Sequence, residues 1–336
     1  MACVATANGQ DGLQYHDAMM DAIVEPENKT STPPLRWKSG VADVKGLDIA
    51  WEMAGPDHAP TVILIMGLAG QLIQWPDALC EPLIARGFRV LRFDNRDIGL
   101  SASAGRGVRF NLKTDWLRIK LGMQVSACNY RLYDMVDDTL GLMDALDINR
   151  AHLAGVSMGG MIAQIAAAQH PQRIASLCSI MSGTNNPRIA QSRLDLLLYI
   201  GRRRKSGVAP QDIIRDSAAF NARIGSPGFP TPEQTRLDNA ARAFHRAYRP
   251  AGILRQTHAI VATGSFERLL PAISAPTQII HGLADPLMRP VCGKRSAKLI
   301  PNARLELIEG MGHDLPVQLM PRWAELITAN AARAEC

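Results

Sequence analysis

Residues 152–164 read HLAGVSMGGMIAQ, and the pattern of side chains changes halfway through this stretch. The first half is a short apolar run typical of a buried strand, and the second half is an Ala- and Ile-containing run typical of a helix. Gly155, Ser157 and Gly159 stand at the change and fit the pattern G-x-S-x-G. Such a pattern lifts a serine hydroxyl above the sheet edge, because the two glycines let neighbouring main chains approach closely. The sequence therefore predicts a nucleophile elbow at Ser157.

Strand-like and helix-like runs alternate on both sides of this turn. Alternation of this kind is typical of an α/β fold, with a mostly parallel sheet flanked by helices on both faces. Such a sheet binds ligands beyond the carboxyl ends of its strands. We predict strands over 47–53, 61–66, 89–93, 151–154, 174–180, 278–280 and 304–308, and helices over 76–86, 133–146, 158–169 and 315–331.

Two segments interrupt the alternation and divide the chain. Residues 1–40 are polar and contain Pro33-Pro34, which favours a flexible N-terminal arm. Residues 184–270 contain helical patches at 191–203 and 234–248 but no clear strand, which predicts a helical cap inserted into the core. The α/β core is then expected over residues 41–183 and 271–336.

Composition narrows the class of protein. The net charge is a mild +6, and the four-residue basic run at 202–205 is interpreted as a solvated face, so no nucleic-acid partner is expected. The six cysteines contain no C-x-x-C pair, which argues against a zinc site and favours a reducing compartment. No apolar run approaches the roughly 20 residues that span a bilayer, and no secretory signal is recognised. We therefore expect a cytoplasmic protein.

A serine nucleophile needs a base, and His313 is the best placed of the eight histidines. It lies in the glycine-flanked segment 310–314, after the last predicted strand. Asp285 lies on a glycine turn beyond the strand at 278–280, which gives the chain order Ser, acid, His found in triads on this type of sheet. Asp314 is the competing acid, but a sequence neighbour rarely folds back to orient the ring of His313, and Asp314 could instead cap the final helix.

An ester carbonyl attacked by Ser157 also needs two donors for its developing oxyanion. The backbone N–H of Met158 follows the nucleophile directly, at the positive end of the predicted helix. The loop after residue 66 supplies the second donor, assigned to the N–H of Leu68, with Gly67 permitting the close approach. The sequence thus predicts an oxyanion hole formed by Leu68 and Met158.

These motifs together resemble the α/β-hydrolase fold superfamily over roughly residues 42–332. The segments FDNRDIGLS (93–101), WPD (75–77) and SMGGMIAQ (157–164) look closest to the aclacinomycin-methylesterase-like serine esterases. In that branch the first loop carries Met-Gly where many relatives have His-Gly, as Met66-Gly67 does here. The resemblance implies hydrolysis of a carboxylic ester beneath a helical cap, and structural roles for Arg96 and Asp97.

The predicted mechanism is a two-step acyl transfer on a small-molecule ester, with no metal or organic cofactor required. Cofactor-free perhydrolase or haloperoxidase activity, C–C bond hydrolysis and lyase activity stay open, as does a non-catalytic ligand-binding member of the fold. A homodimer also stays open. Leu194, Leu197 and Leu198, with Phe220, Phe244 and Ile253, would line either the substrate pocket or the core of the cap.

Overall fold

The computed structural model describes residues 35–105, 111–123, 125, 127–189, 192 and 208–334 of the chain. An eight-stranded sheet forms its centre, in the spatial order β1-β2-β4-β3-β5-β6-β7-β8. β1 pairs antiparallel with β2 and β2 with β4, and every other neighbouring pair is parallel. The strands are β1 (Lys38–Val44), β2 (Leu47–Ala54), β3 (Thr61–Ile65), β4 (Arg89–Phe93), β5 (Ala151–Val156), β6 (Ile174–Ile180), β7 (Thr277–Gly282) and β8 (Arg304–Ile308).

Helices cover both faces of this sheet, and the predicted fold class is confirmed. The α-helices within the described residues are α1 (Asp77–Ala85), α2 (Leu112–Lys120), α3 (Leu132–Ala145), α4 (Met158–Gln169), α5 (Pro210–Ile224), α6 (Glu233–Arg246), α7 (Pro250–Thr263), α8 (Pro290–Leu299) and α9 (Met320–Ala332). None of them is long and apolar enough to cross a membrane.

The central strands are apolar along their whole length because both of their faces are buried. Ile63 and Leu153 contribute to a hydrophobic core with α3 and α4, whereas Val62 and Ala154 contribute to a second core with α1 and α9. Successive strand side chains point to opposite faces, so an unbroken apolar run is what a doubly covered sheet requires. This packing fixes the carboxyl ends of β3, β5 and β7 at one edge.

The first strand lies partly inside the predicted arm. Residues 1–34 lie outside the described residues, but β1 begins at Lys38, so the arm boundary at residue 40 was placed too late. β1 and β2 form a hairpin whose turn residues, Lys45 and Gly46, have φ angles of 53° and 83°. Two successive positive φ angles are typical of a type I′ hairpin turn. The strand was missed because its side chains alternate only weakly between apolar and polar.

Within the described part of the insertion at 184–270, the structure contains helices and no strand. α5, α6 and α7 lie in sequence between β6 and β7, and the helix predicted over 234–248 is observed as Glu233–Arg246. Apart from residue 192, the helix predicted over 191–203 and the basic run at 202–205 lie outside the described residues. The final helix begins at Met320 instead of residue 315, because a 3₁₀ turn at Val317–Leu319 precedes it.

Ile162 tests how much stability the packing of α4 provides. Its side chain is fully buried in the core that α3 and α4 share, so Ile162→Ala is expected to lower the free energy of unfolding by about 2–5 kcal/mol. Val317→Ala is the matched control, since Val317 is 59% exposed and surface substitutions usually change stability by less than about 0.5 kcal/mol. Denaturant unfolding measures both variants, and an equal loss in the free energy of unfolding would contradict a packing role for Ile162.

Candidate active site

The turn from β5 into α4 holds Ser157 in a strained backbone conformation. β5 ends at Val156, α4 begins at Met158, and Ser157 between them has φ 53° and ψ −118°. A side chain on Gly159 would place its Cβ 2.0 Å from the carbonyl oxygen of Ile65, and one on Gly155 would lie 2.3 Å from the carbonyl oxygen of Gly159. Only glycine fits either position, because backbone atoms cannot move aside as side chains can. The strand, the strained serine and the helix follow one another in the order that the predicted elbow requires.

Ser157, His313 and Asp285 form a chain of two hydrogen bonds, with His313 in the middle, although they are far apart in sequence. The Ser157 hydroxyl donates to Nε2 of His313 at 3.0 Å, and Nδ1 of His313 donates to Oδ2 of Asp285 at 2.7 Å. A carboxylate can only accept hydrogen bonds, so the contact with Asp285 places a proton on Nδ1 of His313. Nε2 of the same ring is then free to accept the proton of the Ser157 hydroxyl. Asp285 is 3% exposed and His313 7% exposed, which shields this pair from water.

The loop of Asp285 bonds one of its carboxylate oxygens, and the other oxygen contacts His313. Its Oδ1 accepts hydrogen bonds from the backbone N–H groups of Leu287 and Met288, at 2.9 and 2.8 Å. Nε2 of the neighbouring His281 donates to the carbonyl oxygen of Met288 at 2.6 Å. Burial lowers the pKa of His281, so this imidazole stays neutral beside the Asp285 carboxylate. These contacts fix the direction in which Oδ2 faces.

Asp314, the competing acid, is bonded elsewhere. Its Oδ1 accepts a hydrogen bond from the hydroxyl of Ser226, in the connection between α5 and α6. Burial raises the pKa of Asp314, although the Ser226 hydrogen bonds oppose that change. Ser226 Oγ also accepts from the N–H of Gly312 at 2.8 Å, and the N–H of His313 donates to the carbonyl oxygen of Ile224 at 2.6 Å. The insertion therefore holds the histidine loop, a role that the sequence did not reveal.

The predicted oxyanion donors lie in two segments that converge on Ser157. Gly67 approaches so closely that a Cβ on it would be 3.1 Å from the Cβ of Ser157. The N–H of Gly70 donates to the carbonyl oxygen of Gly67 at 3.1 Å, which closes a turn around Leu68 and Ala69. The assignment of the N–H groups of Leu68 and Met158 as oxyanion donors stays a prediction.

The loop after β4 is held by charged pairs, as the structural roles expected for Arg96 and Asp97 require. Arg96 binds Asp138 through two hydrogen bonds of 2.5 and 2.6 Å. The buried carboxylate of Asp97 receives two hydrogen bonds from Arg255 of α7, at 2.6 and 2.9 Å, and one from Tyr130 at 2.7 Å. Burial raises the pKa of Asp97, but these hydrogen bonds outweigh burial and lower it overall. The pair with Arg255 joins the core to the insertion.

Three of the six apolar side chains expected to line the substrate pocket or the core of the cap lie in the described residues. Phe220, Phe244 and Ile253 are half-buried on α5, α6 and α7, and the Phe244 ring packs against Tyr248 with ring centres 5.0 Å apart. Leu194, Leu197 and Leu198 lie outside the described residues. A role of these six side chains in binding substrate stays a prediction.

Comparison with known families agrees with this geometry. A family model described as the alpha/beta hydrolase fold matches residues 60–318. The chain belongs to the alpha/beta hydrolase fold family. This match covers the strand-turn-helix element at Ser157 and both loops that carry Asp285 and His313. It supports a hydrolase, and it confirms the resemblance inferred from the motifs.

Individual relatives are distant but cover most of the chain. A rhodomycin D methylesterase of Streptomyces peucetius is 23% identical over 89% of this chain and 95% of its own length. A 2-hydroxy-6-oxononadienedioate/2-hydroxy-6-oxononatrienedioate hydrolase of Cupriavidus pinatubonensis is 27% identical over 76% of this chain and 81% of its own. The crystal structure of an enol-lactonase from Burkholderia xenovorans superposes with a TM-score of 0.64 at 23% identity, covering 87% and 100% of the two chains.

Gly159→Ala tests the close approach at the elbow. The added methyl group would meet the main chain of β3, so we expect a lower melting temperature and loss of reaction with a fluorophosphonate probe. Gly87→Ala is the control: Gly87 also has a positive φ, 87°, but open space around its Cβ position, so only about 1–2 kcal/mol of backbone strain is expected. Equal labelling of the two variants would contradict the steric account.

Proposed function

We propose that this protein is a serine hydrolase that cleaves small-molecule carboxylic esters through an acyl-enzyme on Ser157. The observation that carries the proposal is the hydrogen-bonded chain from Ser157 through His313 to Asp285. Its direction matters as much as its distances, because the proton on Nδ1 leaves Nε2 unprotonated and facing the hydroxyl. A serine hydroxyl is a weak nucleophile without such a base.

In the proposed reaction, Ser157 Oγ attacks the ester carbonyl while His313 takes the hydroxyl proton. The carbonyl oxygen becomes an oxyanion, which the N–H groups of Leu68 and Met158 stabilise. His313 then gives its proton to the leaving alcohol, and the ester acyl group remains on Ser157. A water molecule, deprotonated by His313, attacks the acyl-enzyme; the bond from the acyl carbon to Ser157 Oγ breaks, His313 returns the proton to Oγ, and the acid leaves. Asp285 stabilises the imidazolium that forms in both steps.

The rhodomycin D methylesterase relative supports the choice of an ester among the bonds that this fold can hydrolyse. The low identity leaves the acyl and alcohol groups to be determined by experiment. A panel of esters that vary in chain length, with a C–C hydrolase substrate and a perhydrolase assay alongside, separates the alternatives that use the same triad. A non-catalytic binding protein is disfavoured because it would have no need for an aligned serine, histidine and aspartate.

Ser157→Ala removes the nucleophile and is expected to lower turnover of p-nitrophenyl butyrate by about 10⁶-fold, as in comparable triads. The backbone strain at position 157 remains in the variant, so the circular dichroism spectrum should match that of the wild type. Turnover by the folded variant at more than about one hundredth of the wild-type rate would contradict an acyl-enzyme on Ser157.

Asp285, which contacts His313, and Asp314, its neighbour in sequence, allow a matched test of which aspartate is the acid. Asp285→Asn is expected to lower kcat by about 10⁴-fold, because an amide can donate to Nδ1 and so favours the wrong tautomer of His313. Asp314→Asn changes a carboxylate that bonds Ser226, and its kcat should fall by less than about tenfold, since no reacting group loses a partner. A larger loss in Asp314→Asn than in Asp285→Asn would reverse the assignment.

A further inference from the structure

The turn that carries Leu68 contains a residue in an unfavourable conformation. Ala69 has φ 64°, in the left-handed region that favours glycine. It is the third residue of the four-residue turn closed by the bond from Gly70 N–H to Gly67 O. A positive φ at this position is typical of type II turns, which normally place glycine or asparagine there. Something outside the turn must therefore hold the Leu68–Ala69 peptide in its orientation.

Gln256 of α7 makes the contact that does so. Its side-chain oxygen, Oε1, accepts a hydrogen bond from the N–H of Ala69 at 3.1 Å. Its side-chain nitrogen, Nε2, donates to the carbonyl oxygen of Arg96 at 2.9 Å. One partner can only donate and the other can only accept, so the two contacts fix the orientation of the amide. Gln256 is fully buried, which makes both bonds costly to lose.

The hydrogen bond between Ala69 and Gln256 lies in the turn that approaches Ser157, which gives it a consequence for catalysis. Peptide groups are planar with N–H and C=O pointing in opposite directions, so the bond from Gly70 to Gly67 O aims the N–H of Leu68 away from the turn. Gln256 holds the next peptide of the same turn. If Ala69 relaxed to a negative φ, the turn would change shape where Gly67 lies against Ser157. A donor displaced in this way would no longer meet the oxyanion.

We propose that Gln256 is a positioning residue for ester hydrolysis, through which the α5–α7 insertion holds the oxyanion turn at residues 67–70 in its active shape. The inference rests on the proposed function of Ser157 and adds a residue to it. Gln256 acts through Ala69 and does not touch the reacting atoms. Removing its hydrogen bonds should weaken binding of the charged transition state and leave binding of the neutral ester nearly unchanged.

Gln256→Met keeps the length of the side chain but can neither accept from Ala69 nor donate to Arg96. For p-nitrophenyl butyrate we expect kcat to fall about tenfold with KM within about twofold of the wild-type value. Inhibition by a trifluoromethyl ketone, which forms a charged tetrahedral adduct on serine, should weaken by the same factor. Gln256→Asn, which is too short to reach both partners, serves as the second variant if Gln256→Met does not fold.

Gln256→Glu should recover most of the lost kcat, since burial favours the protonated carboxyl, which has an acceptor for Ala69 and a donor for Arg96. Thr263→Val is the matched control on the same helix. It removes the 2.9 Å bond from the N–H of Leu132 to Thr263 Oγ1 and lies away from the turn, so kcat and ketone inhibition should stay within about twofold. If the loss of kcat in Gln256→Met came only from a weakened α7, Thr263→Val, which also removes a hydrogen bond of that helix, should lower kcat by the same factor.

The proposal is overturned if Gln256→Met keeps kcat within about twofold of the wild type, or if kcat falls while ketone inhibition is unchanged. Labelling of Ser157 by a fluorophosphonate separates this failure from failure of the proposed function. If the wild type is labelled but hydrolyses no ester, the ester activity is wrong and the labelling rates of the variants still test Gln256. If the wild type is not labelled at all, the active serine and the role of Gln256 both fail.

Discussion

The close approach of the first turn of α4 to the end of β3 is the constraint on which the site depends. Gly159 lies where any Cβ would collide with the Ile65 carbonyl, and this proximity forces the chain at Ser157 into a positive φ. The serine hydroxyl is thereby presented at the sheet edge where β3, β5 and β7 end. Asp285 and His313 can meet it only because parallel strands bring their following loops to that same edge. Packing of two apolar cores fixes the edge itself.

The insertion at 184–270 is bonded to loops that carry residues of the candidate site. Ser226 and Ile224 hold the loop of His313, whereas Gln256 and Arg255 hold the loops after β3 and β4. The loop of His313 and the turn at residues 67–70 are thus both bonded to one inserted segment. In the proposed reaction, a movement of this segment would disturb the base and the oxyanion donors, so these hydrogen bonds would couple docking of the insertion to catalysis.

Much of the core was predictable because its signals are local. Strands buried on both faces are unbroken apolar runs, and their alternation with helices predicted the fold class. The pattern G-x-S-x-G at a strand-helix junction is typical of a sharp turn that presents a serine. The proximity of Ser157, Asp285 and His313 was then predicted from the order of these residues along the chain. The hairpin strand β1 was missed because its side chains alternate weakly between apolar and polar. Gln256 and Ser226 gave no sequence signal, since their roles come from tertiary contacts between segments up to about 190 residues apart.

The central claim, that ester cleavage passes through an acyl group on Ser157, is tested most directly by mass spectrometry of the enzyme quenched during turnover. Reaction with p-nitrophenyl butyrate at low pH quench should give a butyryl adduct, and proteolysis should map it to the peptide that contains residues 152–164. The adduct should disappear when the substrate is exhausted. Steady hydrolysis with no adduct, or an adduct on a different residue, would contradict the account.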